Sequence, residues 1–359
     1  MTFSRIELRN FRCFDALIID ISSKSNLFYG KNGCGKTSIL ESIYVASCGR
    51  SFRTSNLESL IKRGSDSFKI KAYDDITGSI LEVNKTKSKA INIKINNSLV
   101  TISELTRKFP AFSIDSKTFF YNDNAPDYRR KHLDRGLFIA SPDYAKDWFG
   151  YFRGLKQRNA ALKTGDISQA KAYDETLINH GTKLNYLREN LVSEVKKIYF
   201  DIVKILEQHN RRAQLFSGID IYLKSGFNNE LGLKDSFIHT ESVDLRRKTT
   251  TLGPHKADVI FESKDLLIKD TFSRGEQKML SILWSLSQNI YLEKFFKLSP
   301  ILLLDDLSSE LDSEMLDCFL PIIKYIQNRF IFSNIVDSFN SKIDLSEQSF
   351  KKFHVEQLT

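Results

Sequence analysis

Gly30-Lys31-Asn32-Gly33-Cys34-Gly35-Lys36-Thr37 decides the reading of this chain. The stretch fits G-x-x-x-x-G-K-[ST], the phosphate-binding loop. At average residue usage, chance yields that pattern in roughly one protein of this length in a hundred. Its flanks are those the mechanism needs. Leu27-Phe28-Tyr29 reads as a strand running into the loop, and Ile39 to Ser47 as the helix leaving it. Glycines let such a loop curl until backbone N–H groups face phosphate oxygens. The helix start adds unpaired N–H groups and the positive end of its dipole. The expected ATP cradle is therefore Gly30, Lys31, Asn32, Gly33, Cys34, Gly35, Lys36, Thr37 and Ser38. Lys36 neutralises β- and γ-phosphate charge, the Thr37 hydroxyl is a ligand for Mg²⁺, and Ser38 donates to the α-phosphate. A glycine turn without a ligand is the plain alternative, and the flanking strand and helix weigh against it.

A phosphate loop needs a partner carboxylate. Ile301-Leu302-Leu303-Leu304 reads as a strand buried on both faces, delivering Asp305 and Asp306 at its C-terminal end, where parallel sheets bind ligands. Asp305 is the expected Mg²⁺ carboxylate, and Asp306 is expected to polarise the attacking water. Alone, two acids at a strand end describe a solvated turn; beside the loop they become catalytic candidates. Upstream, Thr271-Phe272-Ser273-Arg274-Gly275-Glu276-Gln277-Lys278 opens an apolar helix expected over 275–296. Ser273 and Gly275 there offer a second set of exposed N–H groups to an anion. One nucleotide already wrapped by a loop needs no second cradle in the same subunit. The second is therefore expected to act in trans, on a nucleotide held by another copy.

Outward from these motifs the chain divides by texture. Its 359 residues suggest about two domains. Residues 1–122 read as α/β, with strands at Ile6–Leu8, Leu17–Ile21, Phe68–Tyr73, Ile80–Val83 and Ile91–Ile95. Residues 123–210 read as an inserted helical domain. There Leu184, Leu187, Leu191, Val195, Ile198, Ile202 and Ile205 follow spacings of three and four, the stripe of an amphipathic helix in a local antiparallel bundle. Residues 211–359 return to α/β, with strands at Ile219–Leu223, Val259–Phe261, Ile301–Leu304 and a last one at Phe330–Phe332, and a helix at Leu316–Ile326. The fold class is α/β: a head interrupted by a helical insertion.

Several classes are not expected. Met1 to Glu7 has no apolar core of a secretory signal, and no apolar run of 18 residues could span a bilayer. Cys13, Cys34, Cys48 and Cys318 have no metal-ligand spacing and read as reduced thiols of a cytoplasmic protein. Lys plus Arg number 53 against 44 acids, a net charge of +9 that favours a polyanionic partner. The positive charge concentrates at Arg129-Arg130-Lys131, Arg211-Arg212, Arg246-Arg247-Lys248 and Lys85/Lys87/Lys89. Each alone ordinarily means a solvated face; Arg129, Arg130, Lys131, Arg246, Arg247 and Lys248 are the DNA-contact candidates. Phosphate contacts of this kind carry no sequence information, and no base-reading motif is present. His255, in the Gly253-Pro254-His255 turn, reads as a satisfied turn histidine.

The order of motifs resembles the ABC-type ATPase heads of the Rad50 and SMC group: phosphate loop, helical insertion, Ser-Arg-Gly-Glu-Gln, then an apolar strand ending in Asp-Asp. Ser273 to Lys278 looks like the ABC signature, and Ser309-Glu310-Leu311-Asp312 like the following D-loop. The RecF recombination mediators are more similar still, along almost the whole chain. Shared stretches include Leu8 to Arg12, Leu40 to Ile43, Gly49 to Thr54, Lys156 to Asn159, Thr251 to Asp258 and Leu302 to Asp312. The resemblance implies an ABC-type head with a helical arm, ATP and Mg²⁺ as cofactors, and an ATP-dependent homodimer with two nucleotides between subunits. It also implies slow, DNA-stimulated hydrolysis and sequence-nonspecific binding to gapped or double-stranded DNA. Its further partners would be RecR and RecO, with RecA loaded at gaps in recombinational repair, replication restart and the SOS response. By position it adds Arg12 to the nucleotide contacts.

Three departures from the wider ABC pattern stand out. Asp306 replaces the usual Glu after the metal-binding Asp, Asp115 stands where a Q-loop Gln is expected, and Ser333 stands where many relatives carry a switch His. A small-molecule phosphotransferase is the main competing enzyme class, but it needs neither the Ser273 turn nor the D-loop. An SMC-like clamp would need a far longer arm, and an ATPase-nuclease an added acidic module.

Overall fold

Alternation of buried and half-buried positions builds the first sheet. In strand Ser67–Asp74, Phe68, Ile70, Ala72 and Asp74 point inward while Ser67, Lys69, Lys71 and Tyr73 stay half-buried. The computed structural model describes residues 3–21, 25–119, 121–311, 313–325, 330–334 and 350–358. In it this strand sits third in a six-stranded antiparallel sheet. The order is Phe14–Asp20, Phe3–Phe11, Ser67–Asp74, Ser79–Thr86, Asn92–Ile95, Ser98–Leu99.

A five-stranded sheet, parallel throughout, carries the chemistry. Its order is Phe350–His354, Ser25–Tyr29, Phe330–Asn334, Ile301–Asp305, Ala111–Ile114. Registers pair Asn334 with Tyr29, Ser333 with Asp305 and Leu304 with Ile114, so these C-terminal strand ends finish at one edge. Ile301 to Leu304 are buried on both faces, as a central parallel strand requires. Helix Lys36–Cys48 contacts strands of both sheets, and nearly every residue in it is buried. A helix enclosed all round shows no amphipathic stripe, and its apolar residues fall on every side.

One strand escaped the sequence reading. The last strand is Phe350–His354, not Phe330–Phe332; it lies parallel to Ser25–Tyr29 at the sheet edge. Lys351 and Lys352 are exposed, and Phe353 stacks on Phe28 at 4.8 Å. An edge strand with paired lysines has little apolar signal.

Contacts divide the chain into two compact units: residues 1–120, 204–213 and 273–359, and residues 121–203 and 214–272. Residues 214–272 thus fall in the second unit, whereas the sequence reading placed everything from 211 in the head. The cause is long-range pairing. Strand Asp258–Ser263 lies between Asp220–Lys224 and Leu266–Leu267 in an antiparallel sheet, and the arginines of the helical segment find their partners there. Arg129 forms a bidentate pair with Asp258 at 2.7 Å, Arg158 meets Asp244 at 2.7 Å, and Arg188 donates to the Pro254 carbonyl at 2.7 Å. Arg188 is fully buried and also grips Asp134 at 2.8 Å through two nitrogens.

Helices Pro126–Ala140, Pro142–Thr164 and Asp174–His209, the last as far as residue 203, build much of this unit. The last two run antiparallel. A side chain at Gly150 would meet His180 at 2.5 Å, Gly154 lies against Leu177, and Arg158 pairs with Asp174. On the long helix Leu184, Leu191, Val195, Ile198 and Ile202 are buried, while Leu187 and Ile205 are half-buried. Leu177, Val192, Tyr199, Val203 and Leu206 are buried too, widening the stripe beyond a coiled-coil seam. His255 sits in its turn as expected, with Nδ1 against the Tyr151 hydroxyl at 2.8 Å and Nε2 against the Thr250 carbonyl at 3.1 Å. Burial lowers its pKa to about 4 and keeps the ring neutral.

Cys13, Cys34 and Cys48 are free thiols. Among the described residues no three His, Cys, Asp or Glu side chains gather as a metal cluster, and no helix is long and apolar enough to cross a membrane.

Candidate nucleotide site

Strand Ser25–Tyr29 ends at Gly30, and helix Lys36–Cys48 begins after Gly35. The turn between them depends on two glycines for different reasons. Gly33 has φ +85° with open space around it, so backbone conformation alone demands glycine there. Gly35 has φ +107°, and a side chain would also strike the Phe14 ring at 2.5 Å. Lys31, Asn32 and Gly33 are exposed, whereas Lys36 and Ser38 are buried. Lys36 Nζ donates to the Gly30 carbonyl at 2.7 Å and the Lys31 carbonyl at 2.8 Å, which holds the ammonium against the loop.

The two expected metal ligands lie together. Thr37 Oγ1 donates to Asp305 Oδ1 at 2.9 Å, although 268 residues separate them. Ser333 Oγ donates to the same oxygen at 2.6 Å and accepts the Asp306 N–H at 3.0 Å. Ser333 therefore holds the Asp305 carboxylate and the Asp306 backbone at once. Burial pushes the Asp305 carboxyl above its ordinary pKa, against the bonds from Ser333 and Thr37. A cation there would favour the carboxylate. A hydroxyl and a carboxylate side by side are hard oxygen ligands suited to Mg²⁺, which completes its shell with phosphate and water. Asp306 adopts a left-handed conformation with φ 55° and ψ 44°, an uncommon geometry for a residue with a side chain.

Asp115 follows the strand next to Asp305's. Its carboxylate accepts the N–H groups of Lys117 at 2.9 Å and Thr118 at 3.3 Å, so it caps the short helix beginning there. Arg12 is similarly engaged. Its guanidinium forms two bonds, 2.8 and 2.9 Å, with Glu41 of the phosphate-loop helix and a third, 3.0 Å, with the Ser59 carbonyl. Glu41 is wholly buried and also accepts from Ser51 at 2.5 Å. The structure thus shows Arg12 bracing the loop helix. Arg12→Ala would leave this buried carboxylate with Ser51 and a longer, 3.7 Å pairing to Arg53, and is expected to destabilise the protein by about 3 kcal/mol. Urea unfolding measures this. Arg12→Met combined with Glu41→Gln should recover most of the loss, because neither partner is then charged.

Ser273 caps helix Arg274–Phe296. Its side chain accepts the Glu276 N–H at 3.4 Å, while its own N–H donates to the Glu276 carboxylate at 2.7 Å. Ser273 is exposed and Gly275 half-exposed, so this helix start is accessible. Lys278, one turn on, binds Glu310 at 2.6 Å and ties the signature helix to the D-loop-like segment. Asp312 lies outside the described residues.

The basic candidates separate. Arg129 is internal, bonded to Asp258 and to the carbonyls of Tyr121, Asn122 and Asn124, so it is no surface phosphate contact. Arg130 is half-buried and donates to the Ala257 carbonyl at 2.8 Å. Lys131 is exposed, beside Asp127 at 2.6 Å. Arg246, Arg247 and Lys248 are all exposed at the end of helix Gly232–Arg247, where the helix dipole also favours cations. Lys85 is buried, donating to the carbonyls of Thr86 and Lys89.

Sequence reasoning missed Glu41 as part of the site. A lone carboxylate in an otherwise apolar helix was the available signal, since a buried charge requires a partner. It also missed Glu356, which accepts the Lys31 N–H at 3.3 Å and binds His354 at 2.7 Å. That contact depends on the last strand, so no local pattern announced it.

Comparison with known proteins places the chain in a family. Residues 2–357 match the family model described as the RecF/RecN/SMC N terminal domain. A DNA replication and repair protein RecF from Pseudoalteromonas translucida is 31% identical over 99% of this chain and 98% of its own. One from Francisella tularensis is 34% identical over 96% of this chain and 98% of its own. A solved structure of the recombination mediator protein RecF-ATP in the RecFOR pathway has a TM-score of 0.78, at 24% identity over 94% of each chain. An Smc head bound to the C-winged helix domain of ScpA has a TM-score of 0.57, at 15% identity over 96% of this chain and 92% of its own. These two structural likenesses speak for the fold.

Proposed function

The chain belongs to the RecF/RecN/SMC N-terminal domain family, among the DNA replication and repair proteins called RecF, and on that premise we propose that it is an ATP-operated DNA-binding switch. ATP binding and an ATPase head are the family's coarse properties. The finer reading is ours. ATP with Mg²⁺ sits on Gly30 to Ser38 with Asp305; Ser273 and Gly275 of a second copy close over the γ-phosphate; Asp306 positions water. The dimer binds gapped or double-stranded DNA without sequence preference. With RecR and RecO in the cytoplasm, it promotes RecA loading during recombinational repair, replication restart and the SOS response.

The observation that carries this is the pair of helix starts in one unit able to offer N–H groups to phosphate. One is completed by Lys36, Thr37 and Asp305, and the other is exposed and closed by its own capping box. Slow hydrolysis suits the shorter Asp306 side chain, and slow turnover suits a switch. Dimerisation would raise the net charge from +9 to about +18, which favours DNA.

Titration of labelled duplex and gapped DNA across a salt series, with ATP and Mg²⁺, tests the reading. The logarithm of affinity should fall linearly with the logarithm of salt, by about 0.9 per phosphate contacted. DNA should also raise the hydrolysis rate. Salt-insensitive or absent DNA binding, with rapid turnover on a small acceptor, would instead indicate a phosphotransferase.

A further inference from the structure

Helix Pro142–Thr164 carries an exposed face that neither the nucleotide site nor the buried ion pairs account for. Lys146, Phe149, Arg153, Lys156 and Lys163 are all exposed and recur at spacings of three, four, three and seven, one side of an α-helix. At 1.5 Å per residue this face runs about 25 Å. Among the described residues no carboxylate pairs with any of its four cations. Asp147 on the same helix is turned inward, against His180 at 2.8 Å.

Phe149 stands within this row and is 59% exposed. It is backed by other rings: Trp148 lies 5.2 Å and Phe138 6.0 Å away, and Trp148 packs on Phe152 at 4.2 Å. Trp148 Nε1 is fixed by a 3.0 Å bond to Asp134, which the buried Arg188 holds. The phenyl ring is thus presented to solvent on a braced aromatic support, between unpaired cations. A polyanion with flat apolar faces matches that surface, and an unpaired nucleic-acid strand is such a polyanion. A continuous duplex offers phosphates but hides its base faces.

We propose that this face grips DNA where duplex gives way to single strand, with Lys146, Arg153, Lys156 and Lys163 on backbone phosphates and Phe149 stacked on an unpaired base at the junction. The inference rests on the DNA-binding reading above and adds the face that meets the junction and the residue that reads it.

The test uses full-length protein with ATP and Mg²⁺ and two probes: a continuous duplex, and the same duplex with a single-stranded gap whose first unpaired base is 2-aminopurine. Wild type should prefer the gapped probe and quench its fluorescence by stacking. Phe149→Ala should lower gapped affinity roughly five- to a hundredfold, abolish quenching, and leave duplex affinity unchanged. Phe149→Trp should restore both, which separates stacking from misfolding. Arg153→Ser with Lys156→Ser should weaken both probes and reduce the salt slope by about 0.9 per lost phosphate contact. If wild type binds both probes and Phe149→Ala alters neither, the junction assignment falls while the DNA reading stands. If Phe149→Ala instead reduces self-association alone, the face belongs to a second copy of the chain. If wild type binds neither probe, both readings fall.

Discussion

Lys36→Met is expected to lower ATP affinity by roughly a hundredfold or more. Removing one side of a hydrogen-bonded charge pair costs about 2–5 kcal/mol, and every 1.4 kcal/mol is tenfold. Methionine preserves the length and bulk of the stem but offers neither charge nor donor. The fold should survive, because the acceptors that Lys36 now holds, the Gly30 and Lys31 carbonyls, belong to the loop itself and not to the sheet beneath. Isothermal titration calorimetry reads the effect directly. Affinity within threefold of wild type would remove Lys36 from the site.

Ser273→Ala should act at another step. It leaves the phosphate loop, Thr37 and Asp305 untouched, so each subunit should still bind ATP at wild-type affinity. What it removes, in the proposed dimer, is a hydroxyl facing a phosphate across the interface. A hydrogen bond to a charged group contributes about 1.5–3 kcal/mol. A two-fold interface contains each contact twice, so roughly 3–6 kcal/mol, a factor of about a hundred to ten thousand, should be lost from the dimer constant. The substitution also removes a helix cap, costing about 1 kcal/mol of local stability. Ser273→Gly separates the two effects, since glycine at this position costs only a few tenths of a kcal/mol while still lacking the hydroxyl.

The nucleotide site was more legible than the architecture around it. A phosphate loop is a local pattern whose mechanism dictates its flanks, so one stretch of sequence predicted strand, turn and helix together. Asp305 was legible because four apolar residues before it describe a central parallel strand. The Arg12–Glu41 brace was not, because its partners lie on different elements and each, taken alone, reads as an ordinary charge. The same holds for Arg129: three basic residues in a row look like a surface, yet Asp258, 129 residues away, draws the first one inside. Residues 214–272 were assigned to the head for the same reason, since strand texture cannot say which sheet a strand joins. Ser333 shows the converse. Its position stands out as a departure from the wider family pattern, and only the structure reveals its hydroxyl bonded to both the Asp305 carboxylate and the Asp306 backbone N–H.

The trans cradle is the central claim, and sedimentation velocity tests it most directly. Wild type and Ser273→Ala would be compared with Mg²⁺, with and without ATP, at protein concentrations where ATP is saturating. Wild type should shift from monomer to dimer on adding ATP, while Ser273→Ala binds ATP equally well and stays monomeric. A wild type that remains monomeric with ATP bound, or a Ser273→Ala variant that dimerises as wild type does, would contradict it.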